Sequence, residues 1–400
     1  MPAKIPLPVD YFRCPPLSQE AIQRYADLGR HSAETLIHKA KLRDGACDWK
    51  LHRDESELKI YKEDSCTEIE GPPRYCGVME VVGELDEYID LFRYDTTDQA
   101  RESFRRFGGT FVDAAVLYTV QSRHPDRPND ATHIKWCLAK SPMERLAQRR
   151  DFVIIETDRE FKVDGKRAWV RSHRSIELAA VPDMRKVLNC VRGEMNDMGY
   201  VVVESDRPGY LHMTYVADMA VHGFAQLLAI DSTLKSWLRT MTSIDRCMRE
   251  NRLSRTPFLD STQLAPLEGR STCSLCRQKF GSRRKKANCF KCGEVVCRGC
   301  NPLWNVRMDG HDAQIRACLP CSLNTSDFSS WTHNSSLSTM ATPAWPAMFS
   351  KISEWSMLES KDDGTVDDDD VLSVDLSTFD DLEREYQVHP IVLDIPSMRG

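Results

Sequence analysis

Eight of the fifteen cysteines in this 400-residue chain fall between positions 273 and 321. They form four Cys-x-x-Cys pairs: Cys273/Cys276, Cys289/Cys292, Cys297/Cys300 and Cys318/Cys321. Such a turn lets two thiolates converge on one ion, and tetrahedral zinc takes two pairs with each sulfur at about 2.3 Å. Four pairs therefore imply two zinc ions. The gaps between pairs are 12, 4 and 17 residues. The gap of four leaves too little chain for the second and third pairs to wrap one ion comfortably. An interleaved scheme fits better, with Cys273, Cys276, Cys297 and Cys300 on one ion and Cys289, Cys292, Cys318 and Cys321 on the other. Four sulfurs leave no open coordination position, so both ions are structural and not catalytic. The remaining seven cysteines are scattered singly, and Met1–Pro16 has no apolar core of the kind a secretory signal needs. They read as reduced core or surface thiols.

The charge around these cysteines differs from that of the whole. The chain carries −6, which argues against wholesale nucleic-acid binding. Residues 268–325 carry eleven lysines and arginines against four acids, a net of +7. Arg283, Arg284, Lys285 and Lys286 form an unbroken run; with Lys291 and Arg316 they are the candidate contacts to an anionic membrane or a phosphoinositide. Each basic side chain near an anionic leaflet contributes about 1 kcal/mol. No stretch reaches the roughly 18 apolar residues of a membrane span, so membrane contact is expected to be peripheral.

The elements that must carry this cluster lie upstream. At 41% hydrophobic and 28% charged, the chain has material for a sizeable core, and its length suggests two or three domains. Residues 17–253 look globular. Ser18 can cap a helix through Ile22, Tyr25, Leu28, Leu36 and Ile37. Strands are expected at 58–62 and 75–82, short helices at 85–93 and 97–106, and strands at 110–121, 132–139, 152–157, 168–177, 199–204 and 210–216. A long amphipathic helix follows, with Leu227, Leu234, Leu238, Met241 and Met248 on one face. Helix, antiparallel strands and a closing helix make an α+β class. Residues 326–400 hold fifteen acids and four bases, including Asp367–Asp370, which is the composition of a disordered acidic tail. No HExxH, Walker loop or GxSxG elbow occurs, and His173 and His212 read as structural, so a non-enzymatic protein is expected.

Two resemblances sharpen this. The cysteine spacing, Phe280, Gly293 and Arg316-Ala317-Cys318 resemble a FYVE finger over roughly residues 268–325. That resemblance implies a treble clef with two zinc ions that binds phosphatidylinositol 3-phosphate on endosomal membranes. The family's basic motif, Arg-(Arg/Lys)-His-His-Cys-Arg, falls on Lys285-Lys286-Ala287-Asn288-Cys289-Phe290, where both histidines and the last arginine are missing. No Trp-x-x-Asp precedes Cys273, and the apolar membrane tip is replaced by Ser282-Arg283. A RING-type finger also interleaves two zinc ions, but usually places histidine in the third or fourth ligand position.

Residues 17–253 resemble the START lipid-binding fold, through Gly83-Glu84-Leu85-Asp86-Glu87, Leu91-Phe92, Asp95-Thr96-Thr97, Arg150-Asp151-Phe152-Val153 and Asp206-Arg207-Pro208-Gly209-Tyr210. The resemblance implies a helix-grip domain whose curved antiparallel sheet and long C-terminal helix enclose an apolar tunnel. Trp169, Arg171, Tyr215 and the last helix are candidate lining residues, and the two short helices a candidate gate. The expected function is lipid binding without catalysis, with the finger holding the protein in the cytoplasm at endosomal or other intracellular membranes. The alternative is a protein-interaction adaptor, docking a partner through its finger or tail, with its cavity filled by its own side chains.

Overall fold

In a computed structural model, the described residues are 4–55, 57–64, 73–106, 110–140, 148–220, 224–308 and 311–323, with the side chains of 224–232 left out. The chain divides into two compact units, Met1–His333 and Asn334–Gly400. Everything described belongs to the first. The acidic tail expected at 326–400 lies outside the described residues.

Helix α1 (Gln19–Lys39) starts where the sequence places a cap: Ser18 Oγ accepts from Ala21 N at 3.2 Å. Strands β1 (Trp49–Glu55), β2 (Leu58–Glu63) and β3 (Tyr75–Val82) follow, then α2 (Leu85–Asp90) and α3 (Thr97–Arg106). Next come β4 (Phe111–Gln121), β5 (Ala131–Ala139), β6 (Arg149–Val163), β7 (Lys166–Ser175), α4 (Arg185–Leu188), β8 (Cys190–Arg192) and β9 (Glu194–Met195). The unit continues through β10 (Met198–Glu204), β11 (Tyr210–Ala217), β12 (Met219–Ala220) and the long α5 (Phe224–Arg255).

The main sheet runs β1-β2-β3-β11-β10-β7-β6-β5-β4, antiparallel throughout, with β8 added in parallel to β6. Helices α2 and α3 carry the chain from β3, within the sheet, to β4 at its far edge. The meander then returns until β11 pairs with β3, from Tyr210↔Val82 to Ala217↔Tyr75. Successive side chains on a strand face opposite sides, and the two sides have different partners here. Val170, Val201 and Val216 pack with Ala33 and Leu36 of α1. Trp169, Tyr200, Val202, Met213 and Tyr215 pack with Leu234, Trp237, Leu238, Met241 and Met248 of α5. Burying each such apolar side chain contributes about 1.5–3 kcal/mol. The result is the helix-grip arrangement: a curved sheet with α1 behind it and α5 across its concave face.

The C-terminal part of the unit is small and irregular. A 3₁₀ turn (Ser261–Gln263) leads to the hairpin of β13 (Lys286–Asn288) with β14 (Val295–Cys297). The hairpin of β15 (Leu303–Met308) with β16 (His311–Arg316) and α6 (Leu319–Ser322) complete it. It is not strung loosely after α5. Leu253 of α5 is buried with Cys273, Cys289, Trp304 and Val306 in one apolar cluster. Glu250 Oε1 accepts from Asn305 N at 2.9 Å, Ser254 Oγ accepts from Arg307 N at 3.0 Å, and Arg246 donates to Leu303 O at 2.7 Å.

Arg252 ties three pieces together. Its Nε lies 3.0 Å from both oxygens of Glu87 in α2, and its Nη1 donates to Ser322 O of α6 at 3.4 Å. Both side chains are under one-tenth exposed, at 6% and 8%. Removing one member of such a pair strands a buried charge, at a cost of about 3–5 kcal/mol. Glu87→Ala should therefore destabilise the protein by about that amount in denaturant unfolding, and Glu87→Met with Arg252→Met should recover much of it. Equal loss in the single and double variants would show that the pair is not the cause.

Candidate functional site

Two sites emerge, a cavity under α5 and the cysteine cluster. The cavity has a volume of about 90 Å³. Its wall is mainly aromatic: Phe92, Tyr94, Phe111, Tyr200, Tyr215 and Trp237. Strands β10 and β11 supply Tyr200 and Tyr215 from inward-facing positions, the segment between α2 and α3 supplies Phe92 and Tyr94, and α5 supplies Trp237, Thr240 and Ile244 at helical spacing. Tyr215 and the last helix thus line the cavity, as expected from sequence. Trp169 and Arg171 do not; they lie behind Phe92, whose ring centroid is 5.6 Å from that of Trp169.

At one end the wall turns polar, where Glu156 and His173 meet at 3.1 Å. Behind them lies a buried charge network. Lys135 Nζ is 2.5 Å from Glu156 Oε1 and donates to Tyr94 O at 3.2 Å. Arg171 grips Asp158 with two bonds of 2.6 Å and donates to Phe92 O at 2.7 Å. The guanidinium also sits 4.6 Å from the Tyr94 ring centre. Burial alone would raise the Glu156 carboxyl, but the Arg171 and Lys135 cations and the His173 hydrogen bond outweigh it and hold it well below the usual range. Burial would lower Arg171, yet Asp158 and Glu156 together keep it firmly protonated. Arg123 also donates to Asp158 at 3.0 Å and to Asp95 at 3.4 Å, so three cations face three carboxylates and this end of the cavity is polar but close to neutral. Cys137, the thiol on the wall, is pushed up to about 12 by burial and is no nucleophile at neutral pH.

Glu156 and His173 were not singled out as lining residues from the sequence. A signal did exist: Lys135, Glu156 and Arg171 each interrupt an apolar strand at an inward position. Charges there are rarely buried unless paired.

The finger brings its eight cysteines together in two groups. Cys273, Cys276, Cys297 and Cys300 form one, and Cys289, Cys292, Cys318 and Cys321 the other, with the sulfurs of each group within 4.8 Å of one another. Cys276 and Cys297 sulfurs are 3.8 Å apart, and those of Cys292 and Cys318 3.9 Å. Sulfurs at the corners of a tetrahedron with 2.3 Å bonds stand about 3.8 Å apart, so the donor set fits zinc. Backbone N–H groups orient the sulfurs: Cys297 N donates to Cys273 Sγ and Cys318 N to Cys289 Sγ, both at 3.2 Å. Gly293, at φ 77°, closes the second knuckle, where a Cβ would meet Gln263 O at 3.1 Å.

The basic candidates are not equivalent. Arg283, Arg284, Lys285 and Lys286 are exposed. Lys291 is half-buried, and its Nζ donates to Thr256 Oγ1 at 2.7 Å and Pro257 O at 3.2 Å. Arg316 donates to Asn301 O at 2.8 Å.

Residues 264–327 match the family model described as FYVE zinc finger. The finger is of the FYVE type. It is built for two structural zinc ions. Solved structures similar to the chain include human StAR-related lipid transfer protein 5, at 16% identity and TM-score 0.43, covering 57% of this chain and 97% of that one. Human STARD10 matches at 12% identity and TM-score 0.39, covering 60% and 84%. A STAR-related lipid transfer protein from Xanthomonas axonopodis matches at 15% identity and TM-score 0.37, covering 50% and 98%. A search of curated proteins finds no match. No helix among the described residues is long and apolar enough to cross a membrane.

Metal removal should be read in both halves of the unit. The FYVE finger shares Leu253 with α5, so a chelator should unfold the finger and also lower the melting temperature of the helix-grip part. An unchanged melting profile after verified zinc loss would contradict this coupling.

His133 gives a pH prediction. Burial, with Lys135 beside it, pushes this imidazole from 6.5 down to about 4. The unfolded state then binds more protons between those values, so His133 favours the fold above pH 6.5 and this contribution is lost as pH falls toward 4. The wild type should lose on the order of 1–3 kcal/mol more than His133→Gln over that window in denaturant titrations. Parallel losses would exclude His133 as the cause.

Proposed function

We propose that this is a non-enzymatic lipid-binding protein. Its helix-grip part, residues 17–253, holds a hydrophobic molecule beneath α5. Its FYVE finger, residues 268–325, holds two zinc ions through the eight cysteines and rests on the anionic face of an intracellular membrane. The observation that carries this reading is the cavity: aromatic walls closing on one nearly neutral polar end at Glu156 and His173. Ligand sites are mostly apolar with a few placed polar groups that fix orientation. A carboxylate and an imidazole there offer both an acceptor and a donor to a hydroxyl or carbonyl on an otherwise apolar ligand. The raised thiol of Cys137 supports binding without chemistry. The excess of basic residues on the finger supports peripheral attachment in the cytoplasm, at endosomal or other membranes.

One observation favours the adaptor reading. The cavity, about 90 Å³, falls well short of the roughly 300 Å³ at which ligand pockets begin. Segments 107–109 and 221–223 adjoin wall-bearing elements in sequence and lie outside the described residues. Under this reading aromatic side chains fill the grip, and the finger docks a protein.

Transfer of a fluorescent acyl-labelled phospholipid from donor to acceptor vesicles separates the two. The lipid-binding reading expects transfer by the full chain, with saturable quenching of tryptophan fluorescence, and loss of both in Ile244→Trp at an unchanged melting temperature. Absence of uptake by the wild type, or equal uptake by wild type and variant, would favour the adaptor.

A further inference from the structure

We infer that the finger reads an anionic bilayer by charge alone, through Arg283, Arg284, Lys285 and Arg298, and has no pocket for an individual headgroup. This rests on the membrane role proposed above and names what that surface recognises.

The polar side chains that would form a headgroup pocket along β13 are held by the chain itself. Lys286 Nζ donates to Leu267 O at 3.2 Å and stands 5.5 Å from the centre of the Phe280 ring. The Asn288 amide donates to Ala265 O at 2.7 Å and to Gly293 O at 3.0 Å. Ala287 and Phe290 carry no side-chain N–H. Lys291 is turned the other way, onto the segment after α5, where it stands 3.7 Å from the centre of the Phe258 ring. Arg316 holds the Asn301 carbonyl. A phosphate entering here would have to break bonds to main-chain carbonyls. The acceptors of Asn288 and Arg316 are partly buried and would be left without donors, whereas the exposed Lys286 bond is the weakest of these restraints. The segment 264–267 thus lies along the same strand that a headgroup would have to approach.

Beside this closed face lies an open one. Arg283, Arg284 and Lys285 are exposed, with no side-chain partner among the described residues. Arg298 is exposed too, and its backbone N–H donates to Lys285 O at 3.2 Å, which sets the two residues side by side. Four long cations on adjoining backbone present charge without fixed geometry. Each such side chain adds to the attraction toward an anionic leaflet. Mobile, solvated cations do not distinguish one phosphate arrangement from another, and salt screens them strongly.

The test uses the full chain and flotation with phosphatidylcholine vesicles. These carry either phosphatidylserine or phosphatidylinositol 3-phosphate at matched surface charge, in low and high salt. The expected result is equal binding to both, falling about tenfold or more in high salt. Arg283→Glu with Arg284→Glu and Lys285→Glu should abolish it while zinc content and melting temperature stay unchanged. Salt-resistant preference for phosphatidylinositol 3-phosphate would overturn the inference and leave the membrane role standing. Full binding by the triple variant would also overturn it. Absence of binding to either vesicle would overturn both.

Discussion

Arg252, carried by α5, is buried where that helix meets α2, α6 and the end of β3, and each of these three supplies part of what a buried guanidinium needs. Glu87 supplies the countercharge, Ser322 a carbonyl, and the end of β3 another, since Arg252 also donates to Val82 O. A charge taken out of water costs several kcal/mol unless paired and hydrogen-bonded. That cost is offset only when all these pieces are in place. Next to it Gly83 leaves room where a Cβ would lie 2.8 Å from the Arg252 guanidinium. The interaction therefore acts less as a gain in stability than as a condition on assembly. The grip helix, one short helix on the sheet and the end of the finger must meet together or not at all.

The same logic, with a different outcome, governs the cavity. Lys135, Glu156, Asp158 and Arg171 are each at most a few per cent exposed, and with Arg123 and Asp95 nearer the surface three cations cancel three carboxylates. An unbalanced set would either drive protonation changes or demand a charged ligand. A balanced set does neither. It leaves a fixed field at one end of an aromatic space, and of its charged members only Glu156 reaches the wall, beside its hydrogen-bonded partner His173. Holding such a network in register requires rigid strands. β5, β6 and β7 meet this need, paired without a break from Ala131↔Asp158 to Ala139↔Arg150 and from Ile154↔Ser175 to Val163↔Lys166.

Much of this was legible in the residues. Ser18 caps the helix it was read to cap, and the apolar face of α5 lies where Leu234, Leu238, Met241 and Met248 put it. The pairing of cysteines into two groups of four followed from one short gap. What escaped the reading has physical causes. β1 has six partly or fully exposed residues behind Trp49, so its sequence lacks alternation. β6 continues as far as Val163, into a polar hairpin that pairs through its backbone. β5 is buried along its whole length because both faces are covered, so its sequence shows no alternation, and the charge of Lys135 is a signal there without a face assigned to it. The closed face of β13 was out of reach as well. That Lys286 and Asn288 bond to Leu267 and Ala265 depends on how a loop folds back, and spacing carries no trace of it.

The docking of the finger follows from the economy of small domains. The hairpins β13/β14 and β15/β16 are too short to bury a core of their own, and folds of this size usually need metal or a neighbour. This finger has both. Zinc would fix the knuckles, while α5 contributes Leu253 to the core and three side chains to the β15 backbone. Those side chains, Arg246, Glu250 and Ser254, begin two residues after Ile244, the last cavity-lining position on α5. The connection to the finger is also hydrogen-bonded, with Leu259 N donating to Phe290 O at 2.8 Å. One continuous helix therefore serves as wall to the cavity and as mount for the finger. The basic strip Arg283–Lys285 consequently stands at an angle to the cavity set by packing, not by a free linker.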